Sequence, residues 1–152
     1  MRVWILGAVL TLTGCKGNEV KSEALRLSWK PPSGVSLAQA TDDALTFTNG
    51  VEIHSIQGKP LDIEEGKLDP LMLMVLAAAH LDPLPTRISG RLGTIPAGIV
   101  ARWVLAGGGQ RALHYYLPLK GRFLVISMAA PEGVFGTREN QLDLSLSTLK
   151  IE

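Results

Sequence analysis

Leu25, Leu27 and Trp29 alternate with Arg26, Ser28 and Lys30. A period of two sends alternate side chains to opposite faces and predicts a half-buried β-strand. Pro31-Pro32-Ser33-Gly34 stops it, because each proline removes a ladder donor. Further on, Ala44–Thr48 and Val51–Ile56 flank Asn49-Gly50. Both flanks are rich in β-branched or aromatic residues, and Asn-Gly tolerates positive φ, so this stretch predicts a hairpin with a type I′ turn. Residues 57–68 contain Gly58, Pro60 and Gly66 and read as a loop.

The pattern then changes. Asp69-Pro70 precedes six consecutive apolar residues, Leu71 to Leu76. Asp69 can cap the first free amides of a helix and Pro70 suits its first position, which predicts a helix to about His80, stopped by Asp82-Pro83-Leu84-Pro85. With no polar position in that run, the helix is buried on most sides or lies against a partner. Leu73 and Leu76, three residues apart, are expected on one core face. Three strands follow, around 87–92, 98–106 and 112–120, the last two joined by Gly107-Gly108-Gly109-Gln110. A fourth, 123–129, is paired through a tight Lys120-Gly121-Arg122 connection. In the tail, Leu142, Leu146 and Leu149 fit a helical face, whereas Leu142, Leu144 and Leu146 also alternate as a strand would. Thr137, Glu139 and Asn140 resemble a helix start and favour helix. The expected class is α+β: an antiparallel sheet with helices packed on one side.

The first fifteen residues follow another logic. Arg2 precedes an apolar stretch, Val3 to Leu12, and Leu12-Thr13-Gly14-Cys15 closes it. The order of charge, apolar run, small residue and cysteine resembles a bacterial lipoprotein signal peptide with its lipobox. The stretch is about half the roughly 20 residues that span a bilayer as a permanent helix. The resemblance implies that residues 1–14 are removed, that Cys15 is acylated, and that membrane lipid is therefore a partner. Two or three acyl chains make such anchoring effectively permanent, where one chain holds only reversibly. Residues 15–24 read as the lipidated cysteine and a short polar tether, and 25–152 as a single domain. Lys16, where sorting rules of the enterobacterial kind place a retaining aspartate, favours the outer over the inner membrane. Cys15 is the sole cysteine, so no disulfide forms within the chain and the core alone must hold the fold.

Charge narrows the functions. There are 14 acidic and 15 basic residues, one of the latter being Arg2, and no run of like charge. A nucleic-acid binder would show a basic face, and none is visible. No G-x-S-x-G nucleophile elbow occurs, and Gly107-Gly108-Gly109 leads into Gln110-Arg111 instead of the Gly-Lys-Ser/Thr of a phosphate-binding loop. His54, His80 and His114 have no short metal-ligand spacing; His54 and His114 could meet across a sheet, but zinc wants a third ligand. No metal or other cofactor is expected. Asp62, Glu64, Glu65 and Asp69 lack the carboxylate that a calcium loop counted from Asp62 needs at position 73, which is Leu73. Their charge suits the start of the helix that follows. Of Tyr115-Tyr116, adjacent on a strand, one should point outward.

The order of elements is similar to that of the Mog1/PsbP-like superfamily. The likeness rests on Trp29-Lys30-Pro31-Pro32-Ser33-Gly34-Val35, the hairpin ending at Ile53, and the paired strands around His114-Tyr115-Tyr116 and Arg122-Phe123-Leu124-Val125-Ile126. Pro131, Phe135 and the final Leu149-Lys150-Ile151 add to it. The resemblance implies a fold and little chemistry, because the same fold hosts unrelated functions. The expectation is a non-enzymatic, lipid-anchored envelope protein that binds or scaffolds another envelope protein. Met72, Met74, Tyr115 and Tyr116 are the candidate contact residues. The alternative is a binder of a small hydrophobic ligand, in a pocket between the 70–80 helix and the sheet.

Overall fold

The computed structural model describes residues 19–152. The expected signal peptide, the lipobox and Cys15 lie outside the described residues. A small sheet joins β1 (Val20–Ser22), β2 (Leu27–Trp29) and β10 (Lys150–Ile151) in the order β1-β2-β10. The main sheet has seven antiparallel strands: β3 (Leu37–Ala40), β4 (Ala44–Phe47), β5 (Val51–Gln57), β6 (Thr86–Ile95), β7 (Gly98–Gly107), β8 (Gln110–Leu119) and β9 (Arg122–Pro131). Their order is β3-β4-β5-β9-β8-β7-β6. Helix α1 (Leu68–Ala78) lies between β5 and β6, and α2 (Glu132–Ser145) between β9 and β10. The class is α+β, as the pattern of elements predicts.

The helices do not share a side. One core cluster joins Val100, Val104, Leu113, Tyr115, Leu124 and Ile126 to Phe135 and Leu142 of α2, to Leu27 and Trp29 of β2 and to Leu25 of the β1–β2 turn. The other joins Ala101, Trp103, Leu105, Tyr116, Phe123 and Val125 to Leu71, Met72, Val75 and Leu76 of α1. Alternate residues of the same strands feed the two clusters, so each face of the sheet has its own helix. The two helices thus pack on opposite sides of the sheet and not, as expected, on one. Covering both faces is also why β8 is buried without interruption from Ala112 to Leu117.

Small polar devices attach these layers. The Trp29 indole NH donates to the Ser145 carbonyl at 3.1 Å and meets Phe47 edge-on, seating β2 against the end of α2. The buried Arg122 guanidinium donates to the Leu25 carbonyl, to Ser55 Oγ and to the Arg26 carbonyl, tying the β1–β2 turn to the main sheet. Residues 20–22, expected within the tether, are thus part of the fold, with Val20 buried.

Local signals hold in most places. Asn49 and Gly50 have φ of 61° and 73°, as the hairpin demanded, although the connection is a three-residue turn, Thr48–Gly50. Gly50 is doubly constrained, since a Cβ there would stand 2.7 Å from the Ala129 carbonyl oxygen. Helix α1 begins one residue before Asp69, which therefore sits in the first turn and pairs with Arg87 at 3.0 Å instead of capping. The helix ends at Ala78 and is closed by His80, whose φ is 55°: His80 N–H bonds the Ala77 carbonyl and Leu81 N–H the Leu76 carbonyl, a Schellman closure without its usual glycine. The tail is helical, but it begins at Glu132, immediately after Pro131 and five residues before Thr137.

Candidate functional site

Three regions bear on function: the outer side of α1, the strand row that carries His114, and the salt bridges beneath α2. On α1 the buried residues are Leu68, Leu71, Met72, Val75 and Leu76, the i, i+3, i+4, i+7, i+8 stripe of one face. Leu73 and Met74 are 55% and 54% exposed. The four proposed contact residues therefore divide. Met74 is outward, whereas Met72 is core and Leu73 does not share the face of Leu76. Tyr115 and Tyr116 are both buried, because neither face of β8 is open to water. Tyr115 faces α2, where its hydroxyl accepts from Arg102 Nε at 3.1 Å; Tyr116 faces α1, where its hydroxyl donates to the Leu61 carbonyl at 2.7 Å. Burial pushes the Tyr116 phenol above its ordinary pKa.

Across the α1 face, cross-strand pairing lines up Gly90, Trp103, His114, Ser127 and Glu52 on five successive strands. The Trp103 indole lies over bare backbone at Gly90, where a Cβ would be 2.9 Å from the ring, and its NH has no partner. His114 is 5% exposed; its Nδ1 lies 2.7 Å from Ser127 Oγ, and its Nε2 has no partner. Desolvation lowers the imidazole pKa from 6.5 to about 4, so the ring is neutral at physiological pH. Beside this row a half-open cleft of about 250 Å³ lies past the end of α1, bordered by Glu52, Leu81, Asp82, Leu84, His114 and Ser127. It lies beyond the position expected for a ligand pocket, since Met72 fills the space under the helix itself. Glu52 shares an oxygen with His54 at 2.9 Å. His54 and His114 do not meet: β9 separates their strands.

On the opposite face Arg102, nearly buried, donates to Glu139 at 2.8 Å and Asp143 at 3.0 Å, and stands 5.6 Å from the Tyr115 ring centroid. Both carboxylates come from successive turns of α2, so this cluster clamps the helix to β7. Among the described residues no group of three or more His, Cys, Asp or Glu is placed to hold a metal ion, and no helix is long and apolar enough to cross a membrane.

No family model and no curated protein matches the sequence. Among solved structures, the chain is similar to the solution structure of cyanobacterial PsbP (CyanoP) from Synechocystis sp. PCC 6803. The TM-score is 0.60 at 12% identity, over 93% of this chain and 99% of that one. The fold is PsbP-like. A crystal structure from Bacteroides thetaiotaomicron VPI-5482 is also similar, with a TM-score of 0.57 and 14% identity, over 91% of this chain and 49% of that one. At such identities the PsbP-like fold is shared and no site residue is carried across.

The Ser127–His114 contact was missed by sequence reasoning, though a signal existed. A two-residue Lys120–Gly121 turn sets Leu119 opposite Arg122 and, nine pairs on, Gln110 opposite Pro131, with His114 facing Ser127 between them. Reading Arg122 into the turn shifts that register and hides the pair.

Proposed function

We propose that this chain is a lipid-anchored bacterial envelope protein whose PsbP-like domain is a non-catalytic docking module for another envelope protein. One observation carries the docking reading: Leu73 and Met74 stand about half exposed, side by side, on a helix whose other face is core. Outward apolar side chains on a well-buried helix cost solubility without serving the core, and contact with a partner gives them a role. The anchor rests on the lipobox at Cys15, with the outer membrane favoured by Lys16. Val20, the first residue of β1, is five residues past Cys15. At about 3.5 Å per residue the start of β1 is then held within roughly 18 Å of the anchor point, so the domain stays close to the membrane.

The test is crosslinking in the native envelope with the charged variants Leu73→Glu and Met74→Glu. Neither side chain is core, so both variants should keep the parent denaturation midpoint. Both should lose the parent's crosslinked species. Crosslinks that persist unchanged in both variants would overturn docking through α1.

A further inference from the structure

Past the end of α1, the cleft combines features that the docking reading does not use. Its floor carries His114, more than nine-tenths buried, with Nε2 lacking any partner. A buried polar atom without a partner carries a free-energy cost that a ligand group can relieve. The ring's other nitrogen is engaged by Ser127 Oγ at 2.7 Å, which orients the imidazole. In the tautomer that donates Nδ1–H to Ser127, Nε2 is a hydrogen-bond acceptor, and this is the tautomer that an amine N–H selects. Around the floor, Leu81, Leu84 and Ala112 supply apolar wall. The only charged residues lining the cleft are Glu52 and Asp82, with no lysine or arginine among them. At about 250 Å³ the space is just below the usual ligand-pocket range of roughly 300–1,000 Å³.

We infer that this cleft binds a small organic amine. The apolar body of the amine lies against Leu81, Leu84 and Ala112, its protonated nitrogen is held by the Glu52 and Asp82 carboxylates, and an N–H is donated towards His114. Anions are disfavoured because both rim charges are negative, and a large ligand is disfavoured by volume. The site is separate from the exposed Leu73–Met74 surface, so it stands or falls independently of docking.

Three probes of one shape and different charge test it on the full chain: benzylamine, benzyl alcohol and benzoate. Titration followed by nitrogen-15 NMR of the histidine side chains reads binding at His114 directly. Benzylamine should shift the His114 resonances and bind at least about ten-fold more tightly than benzoate, with the alcohol between them. Ala129 lines the cleft from an exposed position, so Ala129→Leu should fill the space and abolish the shift while leaving circular dichroism unchanged. Should that variant not fold, His114→Gln decides, with binding read by isothermal titration calorimetry: benzylamine affinity should fall several-fold. The inference is overturned if benzylamine leaves His114 unperturbed, if benzoate binds as well as the amine, if the shift survives Ala129→Leu, or if His114→Gln binds like the parent.

Discussion

His114 shows how one residue's burial becomes a property of the whole protein. In the unfolded chain its imidazole titrates near 6.5, and in the fold near 4, because desolvation penalises the cation. Between those values the unfolded chain binds the extra proton. Stability from this residue is therefore complete above pH 6.5 and is lost as the pH falls towards 4, by about 3 kcal/mol in all. Urea midpoints should drop from about pH 7 to about pH 4.5 in the parent, and drop less in His114→Gln. Equal drops in the two proteins would mean that the imidazole is not the group responsible. Arg102 and Arg122 are also nearly buried, yet each is surrounded by acceptors: carboxylates of α2 for the first, main-chain carbonyls and a serine hydroxyl for the second. A histidine with one free nitrogen differs from both.

Helix α1 separates what a hydrophobic run says from what packing requires. Six apolar residues in succession predict a helix and leave its rotation undetermined. The sheet chooses the stripe of Leu68, Leu71, Met72, Val75 and Leu76, and turns Leu73 and Met74 outward. Leu76→Ala should cost about 2–5 kcal/mol, since it removes a fully buried side chain from the α1 cluster. Leu73→Ala should stay within about 0.5 kcal/mol, as expected at a surface position. Chemical denaturation of both variants checks the assignment, and equal losses would mean that the helix is rotated. The ends of the helix were legible to different degrees. The stop before Asp82-Pro83 could be read from the chain, but it is made by His80 in a left-handed conformation, which nothing in its side chain demands. At the start, Asp69 pairs with Arg87, a residue on β6 that no local rule connects to it.

For the molecule as a whole, the remaining prediction concerns the anchor. The proposed acylation needs the Cys15 thiol, so Cys15→Ser should leave an uncleaved precursor and abolish radiolabelled palmitate incorporation. A variant that is processed and fractionates with membranes like the parent would overturn the lipid anchor. The fold class was open to sequence reasoning because strands, hairpins and the long apolar helix each have a local cause: alternation, Asn49-Gly50 with two positive φ angles, and Pro70 ahead of Leu71 to Leu76. Which way side chains point was decided only in three dimensions. Alternation tells inside from outside when one sheet face meets water, and it loses that meaning when both faces are covered. Tyr115 and Tyr116 were expected to divide between core and solvent, and instead divide between two cores. The cleft with His114, Ser127 and Glu52 belongs to the same class of information. Its residues are far apart in the chain, and only the register of β5, β9 and β8 sets them in one row. Local patterns were enough to place the central hairpin, the long strands and the core of α1, because each has a cause within a few residues; β1, the start of α2 and the surfaces left open to solvent depend on contacts between distant segments.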